Sequence, residues 1–578
     1  MKSLPISRLR LCLLAVPALM ILMPVGTAAA SSAPHVTQPT RVTAGDKDPE
    51  RLYSTPDVAV DPHDPLHVVT SFMDARTRLC GIMVSRDGGA TWSRPKATPS
   101  PGSYPFCMDE QFDTKSNPVA FGRNGTLYEA FNGWDTADGG WSKGNVSVFL
   151  GRSNDLGQTW TTSTVRDARG KVDLDREGNG PITSLRVDTH SANRDMVYVG
   201  FNTDYPGHRV DNINRLPYQP RLAVSTDGGR TFSEPVNVAE DAFSAASLRA
   251  EVLAGMKPAT APTTPPPPDS KAANPDQVGN FGGWGMAMAV DARGTVYAEW
   301  TSTSSNIPEI PAAHYLSRST DHGKTWTHSR ISPLSYAVYQ FVAGGLAWTP
   351  DGGSQGTLHA VYDADPRPEV TSYGEVMYTR STDGGKNWST PTSISGGGDT
   401  SAQLFGQFYG TLSVAPNGRI DAAWWDQRND PGIQGYDVYY SSSSDNGSTW
   451  SGATRATAQP ISRKFGIWGN GYDMTSPPAI SSTDDYVMLA WDDTSLTDAA
   501  LADNSTLGGG LQDIFTAAVQ YHPVAAGGST NNGVRVALAV IAGLDAVALG
   551  LLAMAYVGRG RRSAGQPARE LTPTANPA

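Results

Sequence analysis

Acids, arginines and a tyrosine stand at matching places along this chain, at or near the points where short alternating apolar and polar stretches run out. Asp74 with Arg76, Glu299, Arg367, Tyr409, Asp426 with Arg428, and Asp492 are the members whose chemistry matters most. Alternation of this kind marks strands, so these side chains collect around strand ends. Carboxylates accept hydrogen bonds from sugar hydroxyls, and the arginine fork matches a carboxylate at two points. The set therefore suits hydroxyl-rich or anionic glycans. Hydrolysis of a glycosidic bond generally uses two carboxyl groups, and a tyrosine assisted by a glutamate is the other known solution. Asp74, Asp426, Asp492 and Tyr409 are accordingly the candidate catalytic residues. Arg76, Arg367, Arg428 and Glu299 are the candidates for holding substrate. For any single one of these acids, binding an ion or capping a strand end is the better explanation of its position.

What must position them is a repeat. The pattern Ser-x-Asp-x-Gly-x-(Thr/Asn)-(Trp/Phe) occurs six times, at Ser85–Trp92, Ser153–Trp160, Ser225–Phe232, Ser319–Trp326, Ser381–Trp388 and Ser443–Trp450. The aspartates Asp87, Asp155, Asp227, Asp321, Asp383 and Asp445 fall 62 to 94 residues apart. That interval implies one unit of about sixty residues, roughly a four-stranded propeller blade. Strand-like alternation flanks each copy, so the motif is a hairpin turn. Its aspartate closes the turn as an acceptor for amides, and its glycine supplies a positive φ. The terminal aromatic is a large apolar body to wedge against the neighbouring unit. Six near-identical copies cannot each be an active site, so these aspartates are structural.

A second element, strand–turn–strand, occurs seven times, in segments beginning at Asp57, Asn117, Ile182, Gly285, Gly344, Gly410 and Pro477. After the last comes a third strand, Asp513–Tyr521, with no turn motif behind it. The segment around His35–Thr43 can supply its missing fourth strand. The expectation is an all-β propeller of seven four-stranded blades closed by its own N-terminal strand, with six blades plus an appended sheet as the alternative. Closure removes exposed sheet edges.

The six turns are the Asp-box, or BNR, repeat, and over about residues 50–523 the chain resembles the sialidase-like β-propeller superfamily. Phe72-Met73-Asp74-Ala75-Arg76 is similar to the first-blade segment of those enzymes, where a strand ends in acid-x-Arg before the first Asp box. The resemblance implies an exo-sialidase-like glycosidase acting on extracellular glycans or glycoproteins. It places the site at the central mouth, on the face opposite the turns. It makes Arg76, Arg367 and Arg428 the candidates for gripping a sialic-acid carboxylate. A non-catalytic propeller that binds glycans or proteins at the cell surface is the alternative. A different lyase or hydrolase on the same scaffold is a third reading, because fold does not fix function.

Residues 1–30 read as a secretory signal: Lys2, Arg8 and Arg10, an apolar core from Leu11 to Val25, then Ala28, Ala29 and Ala30. The ectodomain is then 31–523, with a helix and Pro-rich insert over 238–280 and a linker over 524–533. Val536–Val557 is apolar and long enough to cross a bilayer, so a transmembrane helix is expected over 534–558. Arg559, Arg561 and Arg562 then place the tail, 559–578, in the cytoplasm. Asp545 near mid-span costs about 2.5–3.5 kcal/mol on insertion scales, which the surrounding Leu, Val, Ile and Ala offset. Once Cys12 leaves with the signal, Cys80 and Cys107 remain, an even count in an oxidising compartment and on one face of the propeller, so a disulfide between them is expected. A net charge of −11 with 17% charged residues and no basic stripe excludes nucleic acid as a partner. No zinc, nucleotide or haem motif appears, so no cofactor is expected, with bound Ca²⁺ left open.

Overall fold

The computed structural model describes residues 34–48, 50–77, 79–99, 104–106, 117–134, 146–167, 178–189, 194–204, 219–239, 242, 283–302, 313–334, 344–351, 355–364, 374–396, 406–430, 435–462, 465–467, 476–497 and 511–521. The fold begins at the Asp-box turns. In the first, the Ser85 hydroxyl donates to Asp87 at 2.7 Å and accepts the Gly89 N–H at 2.8 Å. Thr91 gives Asp87 its N–H at 2.8 Å and its hydroxyl at 2.6 Å. The other five copies repeat the pattern, with the Asn387 side-chain amide replacing the hydroxyl in the fifth. Gly385 shows why the glycine is needed. Its φ is +87°, and a Cβ there would come within 2.1 Å of Leu316 in the preceding blade.

Seven blades follow in chain order. Blade 1 is Tyr53–Val60, Val68–Asp74 and Leu79–Ser85, with a bridge from Val84 to Ser93. Blade 2 is Val119–Phe121, Leu127–Trp134, Val146–Ser153 and Thr161–Arg166, and blade 3 is Gly178–Asp188, Met196–Asp204, Gln219–Ser225 and Val236–Asn237. Blade 4 is Gly283–Val290, Val296–Ser302, His314–Ser319 and Thr327–Arg330, and blade 5 is Gly345–Thr349, Thr357–Ala364, Glu375–Ser381 and Thr392–Ser393. Blade 6 is Gln407–Val414, Ile420–Asp426, Gly435–Ser443 and Thr454–Arg455. Blade 7 is Ala479–Ser482, Tyr486–Asp493 and Asp513–Gln520, completed from the other end of the chain: His35 and Val36 pair with Gln520 and Val519, and Thr40 and Arg41 with Thr516 and Phe515. The innermost strands touch in order from blade 1 to blade 7 and back to blade 1, which closes the ring. The six-blade alternative is thereby set aside.

The short strand Tyr104–Phe106 links blades 1 and 2, pairing with Leu79 on one side and with Asn132–Trp134 on the other. It carries the chain past Cys80, which is disulfide-bonded; its expected partner Cys107 lies outside the described residues. Among the described residues no helix is long and apolar enough to cross a membrane. The signal segment, the linker, residues 534–558, the tail and, apart from Ala239 and Ala242, the expected helix lie outside the described residues.

The core is distributed over the wedges between blades. Met196, Tyr198 and Leu222 of blade 3 pack on Met286, Met288 and Trp300 of blade 4. Tyr409, Trp425 and Tyr436 of blade 6 pack on Val487, Leu489 and Trp491 of blade 7. One place is aromatic in every blade: Phe72, Phe131, Phe201, Trp300, Tyr362, Trp424 and Trp491 occupy the same position of the second strand, each at most 1% exposed. Burying a side chain of this size contributes several kcal/mol, mostly as apolar area and close contact.

Two outcomes are expected. Trp300→Ala should lower unfolding stability by about 3–5 kcal/mol in urea titration, the usual range for emptying a large aromatic site. Hydrogen bonds from Thr159 and Thr449 hold Asp155 and Asp445 at about 2. A carboxylate depressed in the fold stabilises it above the ordinary carboxylate range and loses that contribution as pH falls toward 2. Melting curves for Asp155→Asn should therefore start lower at neutral pH and fall less steeply in acid than those of the unaltered protein.

Candidate functional site

The candidate residues belong to the face opposite the Asp boxes, where second strands end. Asp74 closes the second strand of blade 1, and Arg76 folds back onto it: the Arg76 N–H and Nε reach Asp74 Oδ1 at 3.1 and 2.9 Å, and Nη2 reaches Oδ2 at 2.9 Å. The remaining donors go to Asp48, Asp46 and the Tyr53 hydroxyl, each at 2.8 Å. Tyr53 in turn donates to Asp46 at 2.5 Å. Burial pushes Asp46 up, but the Tyr53 and Arg76 hydrogen bonds outweigh it and bring the group down to about 2. The same fold-back recurs in blade 6, where the Arg428 N–H, Nε and Nη2 bind Asp426 at 2.9, 2.9 and 2.6 Å. Asp426 also accepts from Gln407 at 3.0 Å and from the Trp424 indole at 2.9 Å. Arg428 lies over the Tyr439 ring at 4.3 Å and donates to the Ser395 carbonyl. Asp291 and Arg293 repeat the device in the first turn of blade 4. Acid-x-Arg is thus a local turn-former in this chain, and each of these guanidinium groups is already matched to a carboxylate.

Beside Asp74 the N-terminal segment crosses from blade 7 to blade 1. Asp513, fully buried, takes Arg51 Nε and Nη2 at 3.0 and 3.1 Å, the Thr43 hydroxyl at 2.7 Å and Arg41 at 3.5 Å. Arg76, Asp46 and Asp48 pin the same crossing from above. The acids and arginines here hold the ring shut.

Asp492 ends the second strand of blade 7. Its Oδ2 accepts from Ser54 of blade 1 at 3.0 Å and from Gln512 at 2.8 Å, whereas Oδ1 is buried without a partner among the described residues. Burial pushes this carboxyl up to about 7. Asp493 beside it is occupied by the Trp491 indole at 3.0 Å and the Ser495 N–H at 2.7 Å. Tyr409 lies in the innermost strand of blade 6 with φ +59°, inside a bulge between Phe408 and Thr411. Its N–H and that of Gly410 bind Asp363 of blade 5 at 2.6 and 3.2 Å, which holds the left-handed backbone in place. Such a conformation costs on the order of 1–3 kcal/mol outside glycine. Blades 1 and 4 carry the same bulge, with left-handed Thr55 and Gly285. Arg367 lies outside the described residues.

Glu299 stands apart from these groups, in the wedge between blades 4 and 5. Its Oε1 meets His314 Nδ1 at 2.9 Å, and the His314 and Tyr362 rings are 5.2 Å apart. If Nδ1 carries the proton toward the carboxylate, as that contact requires, Nε2 is an acceptor. Among the described residues Glu299 Oε2, His314 Nε2 and the Tyr362 hydroxyl have no partner, although the three residues are 0%, 2% and 1% exposed. Burial raises both Glu299 and Tyr362, and each charge acts on its neighbours: Asp363 lifts Glu299, and Glu299 lifts Tyr362. His314 and Tyr362 were not apparent as site residues from the sequence. The available signal was that Tyr362 puts a hydroxyl at a place that is Phe or Trp in the six other blades. Among the described residues no group of three His, Cys, Asp or Glu is placed to hold a metal ion.

The structure therefore sets Asp426, Asp492 and Asp74 at the same end of three successive blades, 6, 7 and 1, and gives each its own protein partners. It brings Glu299 together with two residues outside the original set. Replacing Asp513 by Asn should destabilise the fold by about 3–5 kcal/mol, because Arg51 would be left buried and uncompensated; chemical denaturation measures this. Burial likewise lifts Glu129 to about 8, Asp492 to about 7 and Asp57 to about 6. Raised carboxyl pKa values favour the fold fully in acid, and that contribution is lost as pH climbs through about 6 to 8. The melting temperature should fall over this window, and Asp492→Asn should flatten the fall.

No family model and no curated protein matches the chain. Among solved structures, an α-L-arabinanase of Penicillium chrysogenum complexed with arabinobiose is similar over 68% of this chain and 94% of its own, at 12% identity and a TM-score of 0.39. A Hadza microbial sialidase is similar over 79% of this chain and 74% of its own, at 14% identity and a TM-score of 0.39. The Trypanosoma rangeli sialidase is similar over 72% of this chain and 57% of its own, at 13% identity and a TM-score of 0.38.

Proposed function

We propose that the chain is a cell-surface glycoside hydrolase of the sialidase-like Asp-box kind, secreted through residues 1–30, anchored by a helix over 534–558, and acting on extracellular glycans from the wedge between blades 4 and 5. The observation that carries this reading is the Glu299, His314 and Tyr362 cluster, in which a carboxylate, an imidazole and a phenol each keep an unused polar atom. Buried polar atoms without partners are costly, by about 1–3 kcal/mol each, and are retained where function needs them. A tyrosine serving as nucleophile with a glutamate beside it is the exception that sialidases make to the two-carboxylate rule. With the wedge opened to admit the sugar, Glu299 would take the phenolic proton as Tyr362 attacks the anomeric carbon and the bond to the leaving-group oxygen breaks; that oxygen would take a proton from solvent, and water would then displace the sugar from Tyr362 and restore the phenol. Its raised pKa makes it the stronger base. His314, bound through Nδ1, would keep the carboxylate aimed. Arg367 belongs to the segment that follows the Tyr362 strand and is the candidate for an anionic substituent of the sugar.

A non-catalytic glycan-binding propeller is the second reading. Its specific support is that Asp74 and Asp426 are both consumed by their own arginines.

The test is turnover of a fluorogenic sialoside and a panel of aryl glycosides by the detergent-solubilised full chain. Tyr362→Phe and Glu299→Gln are each expected to lower kcat/KM by 10²-fold or more, the usual worth of a nucleophile's base, with the melting temperature showing whether each variant is folded. Wild-type protein that binds a glycan array yet turns over none of the panel establishes the second reading instead.

A further inference from the structure

In blades 2, 4 and 5 the residue just before the Asp-box serine is an arginine: Arg152, Arg318 and Arg380. From blade 5, Arg380 reaches the box of the next blade, where Nη1 donates to the Asn446 carbonyl and to the Ser448 hydroxyl at 3.1 Å. Arg318 has the face of Tyr297 in its own blade, 6.0 Å away. From blade 2, Arg152 also reaches the next box, but its Nη1 meets only the Gly228 carbonyl, at 3.5 Å. The place that Ser448 fills, directly after the box glycine, is held there by Arg230. A serine hydroxyl accepts from a guanidinium, whereas a second guanidinium has no acceptor to offer. Arg152 Nε is buried without a partner among the described residues.

Both guanidinium groups are fixed against one turn. Arg230 Nη1 donates to the Asp227 carbonyl at 2.6 Å, one peptide before the carbonyl that Arg152 meets. A Cβ on Gly228 would lie 3.3 Å from Arg230 Nη1, and one on Gly229 would lie 3.2 Å from Arg152 Cδ. Arg152 is half-buried and Arg230 exposed, so the pair faces solvent at the Asp-box end. Burial and the charge of Arg230 both work against the charge on Arg152 and lower its pKa, and Tyr128 and Asp227 offset only part of this. The two acids nearby are committed to other donors. Asp227 takes the Ser225 hydroxyl at 2.8 Å, the Arg230 and Thr231 N–H groups at 2.9 Å each, and the Thr231 hydroxyl at 2.7 Å. Asp195 takes the Tyr128 hydroxyl at 2.9 Å and the Arg123 N–H at 3.1 Å. Neither Arg152 nor Arg230 forms an ion pair among the described residues.

We propose that Arg152 and Arg230 together bind one phosphate or sulfate group at the Asp-box end, between the turns of blades 2 and 3. A tetrahedral oxyanion has oxygens enough for both guanidinium forks, and its negative charge converts a repelling pair into a bridged one. A free ion and a sulfate ester on a sugar present the same oxygens to the pair. The site is formed by blades 2 and 3, away from the wedge of blades 4 and 5 that holds Glu299, so the proposal stands whether or not the glycosidase reading does.

Calorimetric titration of the detergent-solubilised full chain with inorganic phosphate, inorganic sulfate and N-acetylglucosamine 6-sulfate, each at constant ionic strength, tests it. Wild-type protein should bind one such group per chain. Equal affinity for sulfate and its sugar ester identifies the free ion as sufficient, and tighter binding of the ester identifies a sulfated glycan. Arg230→Ser, which installs the residue type found at this place in the last Asp box, should weaken binding about tenfold or more, the scale of one lost charge-assisted contact. Arg152→Met, which keeps the bulk and removes the charge, should do the same. A wild-type protein that binds none of the three overturns the proposal, as does an Arg230→Ser protein with wild-type affinity. Should Arg152→Met fail to fold, Arg230→Ser decides alone, because its side chain is exposed.

Discussion

The two ends of the ring meet where residues 35–51 join blade 7 to blade 1. A contact such as Thr43 to Asp513 spans 470 residues, and closing a loop of that length costs about 5 kcal/mol beyond a constant term. Several interactions offset it at one place. The strand pairings of His35–Val36 and Thr40–Arg41 satisfy an edge that would otherwise be bare. Val42 and Ile514 pack with Tyr53 and Phe72 in a core cluster of their own. Arg51 finds in Asp513 a buried partner. Every other blade is built from contiguous chain and forms its sheet locally. This joint alone converts a row of hairpins into a ring, and hence creates the upper face.

Within the ring, equivalent positions are put to different uses. In blade 4 the aromatic place of the second strand holds Trp300, which stacks on Tyr315 at 4.9 Å and donates its indole N–H to the Ser317 hydroxyl at 2.8 Å. In blades 6 and 7 the Trp424 and Trp491 indoles also tie down the acid two residues on. Blade 5 has Tyr362 there, and its hydroxyl is left over. Unpartnered polar atoms among the described residues thus occur both at such a departure, the Tyr362 hydroxyl, and at repeated places, the Asp-box indoles of Trp92, Trp326, Trp388 and Trp450. A repeat whose packing is satisfied sevenfold can carry such exceptions, since neighbouring wedges supply the stability that one wedge gives up.

The acid-x-Arg pairs show the opposite case. Asp74 with Arg76 and Asp426 with Arg428 have the residue types of a substrate grip, yet an arginine two positions after an aspartate at a strand end can fold back onto it. Short-range geometry brings the pair together before any ligand arrives. The upper-face charges near blades 7 and 1 are in consequence largely a structural lattice, and the chemistry proposed here lies in a wedge of buried groups instead.

The seven-blade count, the Asp-box turns with their structural aspartates, and the N-terminal strand as the closing element were all legible in the chain itself. Each depends on local periodicity or on a turn whose hydrogen bonds lie within four residues. The partners of Asp492 and Glu299 were not legible, because they come from other strands: Asp492 meets Ser54, and Glu299 meets a histidine fifteen positions on and a tyrosine of the next blade. Local hydrogen bonding is written in the order of residues. Which polar groups remain unsatisfied is decided only when the wedges close and water is excluded from them.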